Sequence, residues 1–163
     1  MKNLILLALV VLSLNAFGQR KVTNGTIYIE HPYISAIQQM NKLFAKGDTM
    51  GVLKFYADSA KFFDTSSGKT YNLRQTRAHW RMLFANWDNI SYRPLGYPDG
   101  LKFEKDPFTV QSYWIVTTVH KQTHKKVTFY QVVFDQFNED GKIAFEYSYF
   151  DPSALMAADT QNY

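Results

Sequence analysis

Residues 108–150 constrain the fold more than any other part of the chain. They hold three runs, FTVQSYWIVTTVHK, KVTFYQVVFDQF and KIAFEYSYF, with no Pro or Gly inside any of them. Val, Ile, Thr and aromatic residues dominate these runs, and such side chains suit a pleated surface better than a helix. The breaks between them, QTHK at 122–125 and NEDG at 138–141, are short enough for tight antiparallel connections. A three-stranded meander is therefore predicted near the end of the chain. Its first strand puts Trp114, Val116 and Thr118 on one side and Tyr113, Ile115 and Val119 on the other. A sheet with one face in water alternates apolar with polar, so both faces here are expected to be covered. Helices can cover one, and a second copy of the chain is the economical cover for the other.

Upstream, the period changes from two to between three and four. Pro32 suits the first turn of a helix, and Ile34, Ile37, Met40, Leu43 and Phe44 follow at helical spacing up to Gly47. Asp48 can cap a second, shorter helix with Val52, Leu53, Phe55 and Tyr56 on its apolar side. Residues 60–63 read as a short strand closed by the turn Asp64-Thr65-Ser66-Ser67-Gly68. Asn72 and Gln75 are spaced for a capping box opening a third helix, with a stripe of Leu73, Thr76, Trp80, Leu83, Phe84 and Trp87. Residues 89–95 suit a strand, 96–107 a loop marked by Pro98, Gly100 and Pro107, and the tail after Pro152 a frayed end. The fold class expected is α+β, with three helices on one face of a bent antiparallel sheet.

The N-terminus carries a different message. Lys2 and the unbroken apolar run 4–14 have the form of a secretory signal, and Ala16-Phe17-Gly18 supplies small residues before a cut that would leave Gln19 first. The run is too short to span a bilayer, so no stable membrane insertion is expected after cleavage. Residues 1–18 are thus expected to be a signal peptide, 19–30 an extended arm, 31–152 the folded domain and 153–163 a tail. With no cysteine, an exported chain, periplasmic or secreted, must rely on packing rather than disulfides. Loss of Lys2 lowers the formal charge from +4 to +3, and the remaining Lys and Arg are dispersed, which argues against nucleic acid as a partner. His120, Lys121, His124, Lys125 and Lys126 cluster at the first hairpin and read as a solvated tip that discourages edge pairing.

Gly47-Asp48 and the segment YADSAKFFDTSSG at 56–68, taken with this order of elements, resemble the nuclear transport factor 2-like superfamily. The similarity is greatest to its SnoaL-like and ketosteroid-isomerase-like branch, and it extends over about residues 31–152. The resemblance implies a cone: a curved antiparallel sheet with three N-terminal helices on its concave face and an apolar pocket open at one end. It also implies site positions. In ketosteroid isomerases a carboxylate shuttles a proton beside a carbonyl while a Tyr and a protonated Asp stabilise the oxyanion. Asp64 falls at the shuttling position. The oxyanion Tyr is replaced by Met40, and the protonated Asp, counted back from Gly141, by Val133. Without those donors steroid isomerisation is not expected. The pocket face implied for the meander is Trp114, Val116 and Thr118, then Phe129, Gln131 and Val133, then Glu146, Ser148 and Phe150. The outer face is Tyr113, Ile115, Tyr130, Val132, Phe134, Phe145, Tyr147 and Tyr149, a candidate homodimer interface.

Each candidate has two readings. Asp64 is either a general base tuned by an aromatic pocket, or a carboxylate held ionised by its own turn. His79, which the resemblance places on the pocket wall, is either an acid/base group or a structural histidine beside an apolar stripe. Glu146 is either a ligand contact or half of a buried ion pair with Arg77 or Arg81. Tyr56, Trp80, Trp114, Phe129, Gln131, Glu146 and Phe150 are the expected ligand-binding residues. His120 and His124 sit on a hairpin with no third ligand near them, no HExxH, G-x-S-x-G or glycine-rich phosphate loop occurs, and neither metal nor organic cofactor is expected. The chain is expected to bind a small, largely apolar or aromatic molecule, with isomerase, cyclase or lyase-type acid/base activity as one version. A non-catalytic binding or assembly module acting through its outer sheet face is the other. A hollow cone with converging Asp64, His79 and Glu146 favours chemistry, and a cone plugged by Trp80, Trp114 and Phe129 favours the module.

Overall fold

The structure, a computed structural model, describes residues 24–159. Helix α1 (Pro32–Ala45) begins where Pro32 needs no N–H partner, and His31 Nδ1 accepts the Tyr33 N–H at 3.2 Å. It buries Ile34, Ile37, Met40 and Phe44. Gly47, with a φ of 75°, turns the chain out of the helix, a left-handed conformation that glycine adopts without steric cost. Asp48 Oδ1 then accepts the Gly51 N–H at 2.8 Å and caps α2 (Thr49–Leu53). The capping box of α3 (Leu73–Asn86) is made by Asn72 and Gln75, with both bonds at 3.0 Å.

The meander is present as β6 (Phe108–His120), β7 (Lys126–Phe137) and β8 (Ile143–Phe150), in continuous antiparallel pairing. Five expectations are corrected around it. The extended arm contains β1 (Gly25–Tyr28), and the loop 96–107 contains β5 (Asp99–Phe103). These two weakly patterned segments pair with each other, and β5 also pairs with β6. Tyr56 does not belong to the second helix: it opens β2 (Tyr56–Asp64), longer than 60–63, because pairing with β8 and with β3 (Lys69–Asn72) holds the segment extended. Trp87 leaves the helical stripe and opens β4 (Trp87–Pro94). The tail forms α4 (Ser153–Asp159), whose start is held by Asp151 Oδ1 accepting the Ser153 N–H at 2.9 Å and Oγ at 2.6 Å.

All eight strands among the described residues join one sheet in the order β1-β5-β6-β7-β8-β2-β3, with β4 pairing β6 beside β5. β6 is long enough to take β4 and β5 one after the other along the same edge. The pairing is antiparallel except between β2 and β8, which run parallel, so the expected antiparallel sheet is mixed. The sheet curves around α1 and α3, and the core lies between them: Ile37 of α1, Val52 after it, Val110 of β6 and Ile143 of β8 are almost wholly buried.

The basic hairpin needs its own correction. His120 is not part of a solvated tip; it is buried, packs edge-on to Trp87 at 4.9 Å, and its Nε2 meets Asp159 Oδ1 of α4 at 2.9 Å. α4 therefore docks on the sheet end through Leu155, Ala158 and this contact. Among the described residues, no helix is long and apolar enough to cross a membrane. The signal-peptide expectation for residues 1–18 lies outside the described residues.

Candidate active site

Between the helices and the concave sheet face lies a cavity of about 290 Å³. Of the residues expected there, its wall includes Asp64, His79, Tyr56, Trp80, Trp114, Phe129, Gln131, Val133, Glu146, Ser148 and Phe150, but not Val116 or Thr118. The alternation of the meander explains this for the sheet residues, since positions 112, 114 and 116 of β6 are buried while 113, 115 and 117 are only partly so. Helix α3 adds His79 and Trp80, and Leu155 of α4 reaches the wall from the other end of the chain.

These residues are not brought together as one group. Asp64 is tied into its own turn, with Oδ1 accepting the Ser66 N–H at 2.9 Å and Ser66 Oγ at 2.6 Å, and Oδ2 accepting Ser67 Oγ at 2.8 Å. Burial pushes its carboxyl up, but these hydrogen bonds outweigh it and hold Asp64 below the usual carboxylate range. That is the inert reading, and it makes Asp64 a weak base. His79 is exposed and meets Tyr71 edge-on at 4.6 Å. Gln131 Nε2 donates to Ser148 Oγ at 2.7 Å, Trp114 Nε1 donates to Ser112 Oγ at 2.8 Å, and Phe129 packs on Phe150 at 5.3 Å.

Glu146 has a different partner from the one expected. Its Oε2 accepts from Tyr56 Oη at 2.5 Å, and neither Arg77 nor Arg81 is involved. Directly across the β7–β8 ladder from Glu146 stands Asp135. Its exposure is 0%, it lines the cavity, and neither carboxyl oxygen has a hydrogen-bond partner among the described residues. Facing positions of an antiparallel pair put their Cβ atoms about 4.5–5.5 Å apart on the same side of the sheet. The cavity thus contains two carboxyl groups side by side.

Asp135 is the residue that sequence reasoning missed. Counting back from Gly141 placed the acidic position at Val133, two residues away on the same face, and ended the pocket-facing set there. One further step of the alternation, from 131 and 133 to 135, would have found it. Val133 and Met40 do line the cavity, together with Asp135 on β7 and Tyr56 on β2.

Burial pushes the Asp135 carboxyl well above the usual range, and the charge of Glu146 beside it pushes further. Burial also raises Glu146 above the usual range, and the Tyr56 hydrogen bond offsets only part of that rise. Glu146 has a donor and Asp135 has none, so the pair ionises in the order Glu146, then Asp135. The phenols of Tyr56 and Tyr92 are raised, first by burial and then by the Glu146 charge, and both remain proton donors. Among the described residues no three His, Asp or Glu side chains form a group able to hold a metal.

Residues 37–146 match the family model of the SnoaL-like domain. No curated protein sequence matches the chain. Among solved structures, a SnoaL-like polyketide cyclase from Agrobacterium tumefaciens is similar with a TM-score of 0.59 at 13% identity, over 78% of this chain and 98% of that one. PrhC from Penicillium brasilianum gives 0.68 at 12% identity, over 80% and 87%. An NTF2-like protein from Burkholderia thailandensis gives 0.62 at 14% identity, over 80% and 99%. At such identities the shared property is the fold, a cone-like α+β domain, and the family match covers most of the chain. The chain belongs to the SnoaL-like domain family.

Proposed function

We propose that this protein binds a small, largely apolar molecule in its cavity and moves a proton on it, with Glu146 as base and Asp135 as acid. One observation carries the reading: two carboxyl groups share an apolar cavity, and their surroundings push them to different protonation states. Burial raises both carboxyls, but the Tyr56 hydrogen bond favours the ionised form of Glu146, whereas Asp135 has no donor among the described residues and is pushed further up. Such separation assigns an acid and a base at one pH. The reaction class is isomerase, cyclase or lyase-type proton transfer, since the same pair can remove a proton from carbon and hydrogen-bond the oxygen that becomes negative. Asp64 and His79, the earlier catalytic candidates, stand on the cavity wall as positioning or ligand-contact residues.

The proposal can be tested without knowing the natural substrate. β-Tetralone is a small apolar ketone with exchangeable protons beside its carbonyl, and their replacement in deuterated water is followed by NMR. The protein is expected to accelerate this exchange over buffer, and Glu146→Gln to remove about 10²-fold or more of the acceleration. Binding of the ketone with exchange at the buffer rate would overturn the proton-transfer role and leave a binding module.

Two further parts of the proposal rest on the outer sheet face and on the N-terminal run. Tyr130 and Tyr149 are 65% and 46% exposed there, and Phe134, Tyr147 and Tyr149 line a second hollow of about 270 Å³ with Leu101 and Phe103. We read this face as the contact between two copies of the chain. The apolar run 4–14 supports export with cleavage before Gln19.

A further inference from the structure

Three acidic side chains line the cavity, Asp64, Asp135 and Glu146, and neither Lys nor Arg is among the residues that line it. Among the described residues, Glu146 has only the neutral hydroxyl of Tyr56 as a partner, and the oxygens of Asp135 have none. A buried anion needs a counter-charge or several donors to be stable away from water, and here the protein provides one donor. The groups facing Glu146 are Tyr56 from β2, Tyr92 from β4 and Asp135 from β7, while Asp64 and His79 lie towards the rim. None of the three that face it is positive at any pH.

The wall beside these carboxyls is a connected series of aromatic rings. Tyr56 lies 6.0 Å from Trp80, Trp80 5.5 Å from Phe44, Phe44 6.1 Å from Tyr92 and Tyr92 5.9 Å from Trp114. All five line the cavity. Aromatic rings attract an organic cation through their π-electron faces and need no hydrogen bond to do so. Carboxyl groups set into an aromatic wall select against anions and favour alkylated ammonium groups over strongly hydrated ions.

We propose that the ligand of this cavity is an organic cation, a small amine or quaternary ammonium compound whose charged nitrogen sits against Glu146 and Asp135 with its apolar body on the Trp80–Trp114 wall. This inference rests on the reading of the cavity as the binding site and adds the charge of the occupant. A neutral alcohol could bond to Asp135 but would leave the Glu146 charge uncompensated; a cation answers both. Cation binding favours the ionised carboxylate, so affinity is expected to rise with pH through the raised range of Glu146, with proton release on binding.

The test uses the matched probes phenyltrimethylammonium and tert-butylbenzene, which share shape and differ by one charge, titrated into the full protein with Trp fluorescence as the signal. The cation is expected to bind at least tenfold more tightly at about pH 8, to lose that advantage towards about pH 5, and to lose it at all pH values in Glu146→Gln. The comparison on the unmutated protein stands even if the variant fails to fold. Equal affinities for the two probes, or a preference that survives in folded Glu146→Gln, would overturn the cation while leaving the cavity as a binding site. Binding of neither probe would remove the small-molecule reading, and the cation with it.

Discussion

A carboxyl group with no exposure and no hydrogen-bond partner, such as Asp135, is expensive to fold around. An unmet buried polar group costs about 1–3 kcal/mol even when uncharged. The folded state keeps the Asp135 proton at pH values where the unfolded chain has released it, so folding takes up a proton. Stability must therefore fall as pH rises from the ordinary carboxylate range through the raised value of Asp135, and Glu146 contributes with the same sign. Asp64 has the opposite sign: its stabilising effect is present above the ordinary carboxylate range and disappears as pH falls through its lowered value. Asp135→Asn has no proton to lose. Its melting temperature is expected to fall less than that of the unmutated protein between about pH 5 and pH 8, and to lie above it at the upper end, by about 2–4 °C for each ~1 kcal/mol recovered. Equal slopes of melting temperature against pH would show that Asp135 is not held neutral in the fold. Residues acting within a turn were legible in sequence: Asp48, Asn72 and Gln75 each cap where spacing placed them. Asp135 was not, because its meaning depends on Glu146, which only the β7–β8 register puts opposite it.

At the scale of elements, long patterned segments folded as read and short ones were decided by their neighbours. β6 and β7 carry enough β-branched and aromatic side chains to specify themselves. β1 and β5 do not, and exist as strands because each offers the other an edge. α4 is the clearest case, since a seven-residue helix has little stability alone and is held by what it touches. Ala158 is fully buried against Trp87 and Val127, Leu155 closes part of the cavity wall, and Asp159 reaches His120. Ala158→Glu would force a charge into that contact. We expect it to detach α4, seen as a large increase in amide exchange confined to residues 153–159, with a global loss of about 1–2 kcal/mol from the apolar area released. The same variant should accelerate entry and exit of any cavity ligand. Exchange unchanged in α4 would mean that the helix does not depend on this packing.

The molecule as a whole has a sheet with two unlike faces. The concave face is closed by α1, α3 and α4, while the outer face leaves Tyr130 and Tyr149 exposed among partly buried aromatic residues. A second copy would cover these residues, and a chain beginning at Gln19 would carry no apolar leader to obscure the measurement. Native mass spectrometry of protein expressed from the full sequence reads both properties at once: the expected species is a dimer of chains starting at Gln19. Val132→Asp, in the middle of the outer face, is expected to shift it to monomer without emptying the core. A monomer of unmutated protein at micromolar concentration would leave the outer face unexplained, and a chain retaining Met1 would overturn cleavage.

The sequence by itself determined the meander and the three N-terminal helices with their caps. Those features follow from local period and short-range hydrogen bonds, which a linear chain displays directly. Only the tertiary structure decided that β2 runs parallel to β8, that a short tail helix closes the wall, and that Asp135 stands beside Glu146 with Tyr56 as the one donor between them. Each of these depends on which distant segments meet, and the acidity of a buried group is set by the neighbours that the fold brings to it.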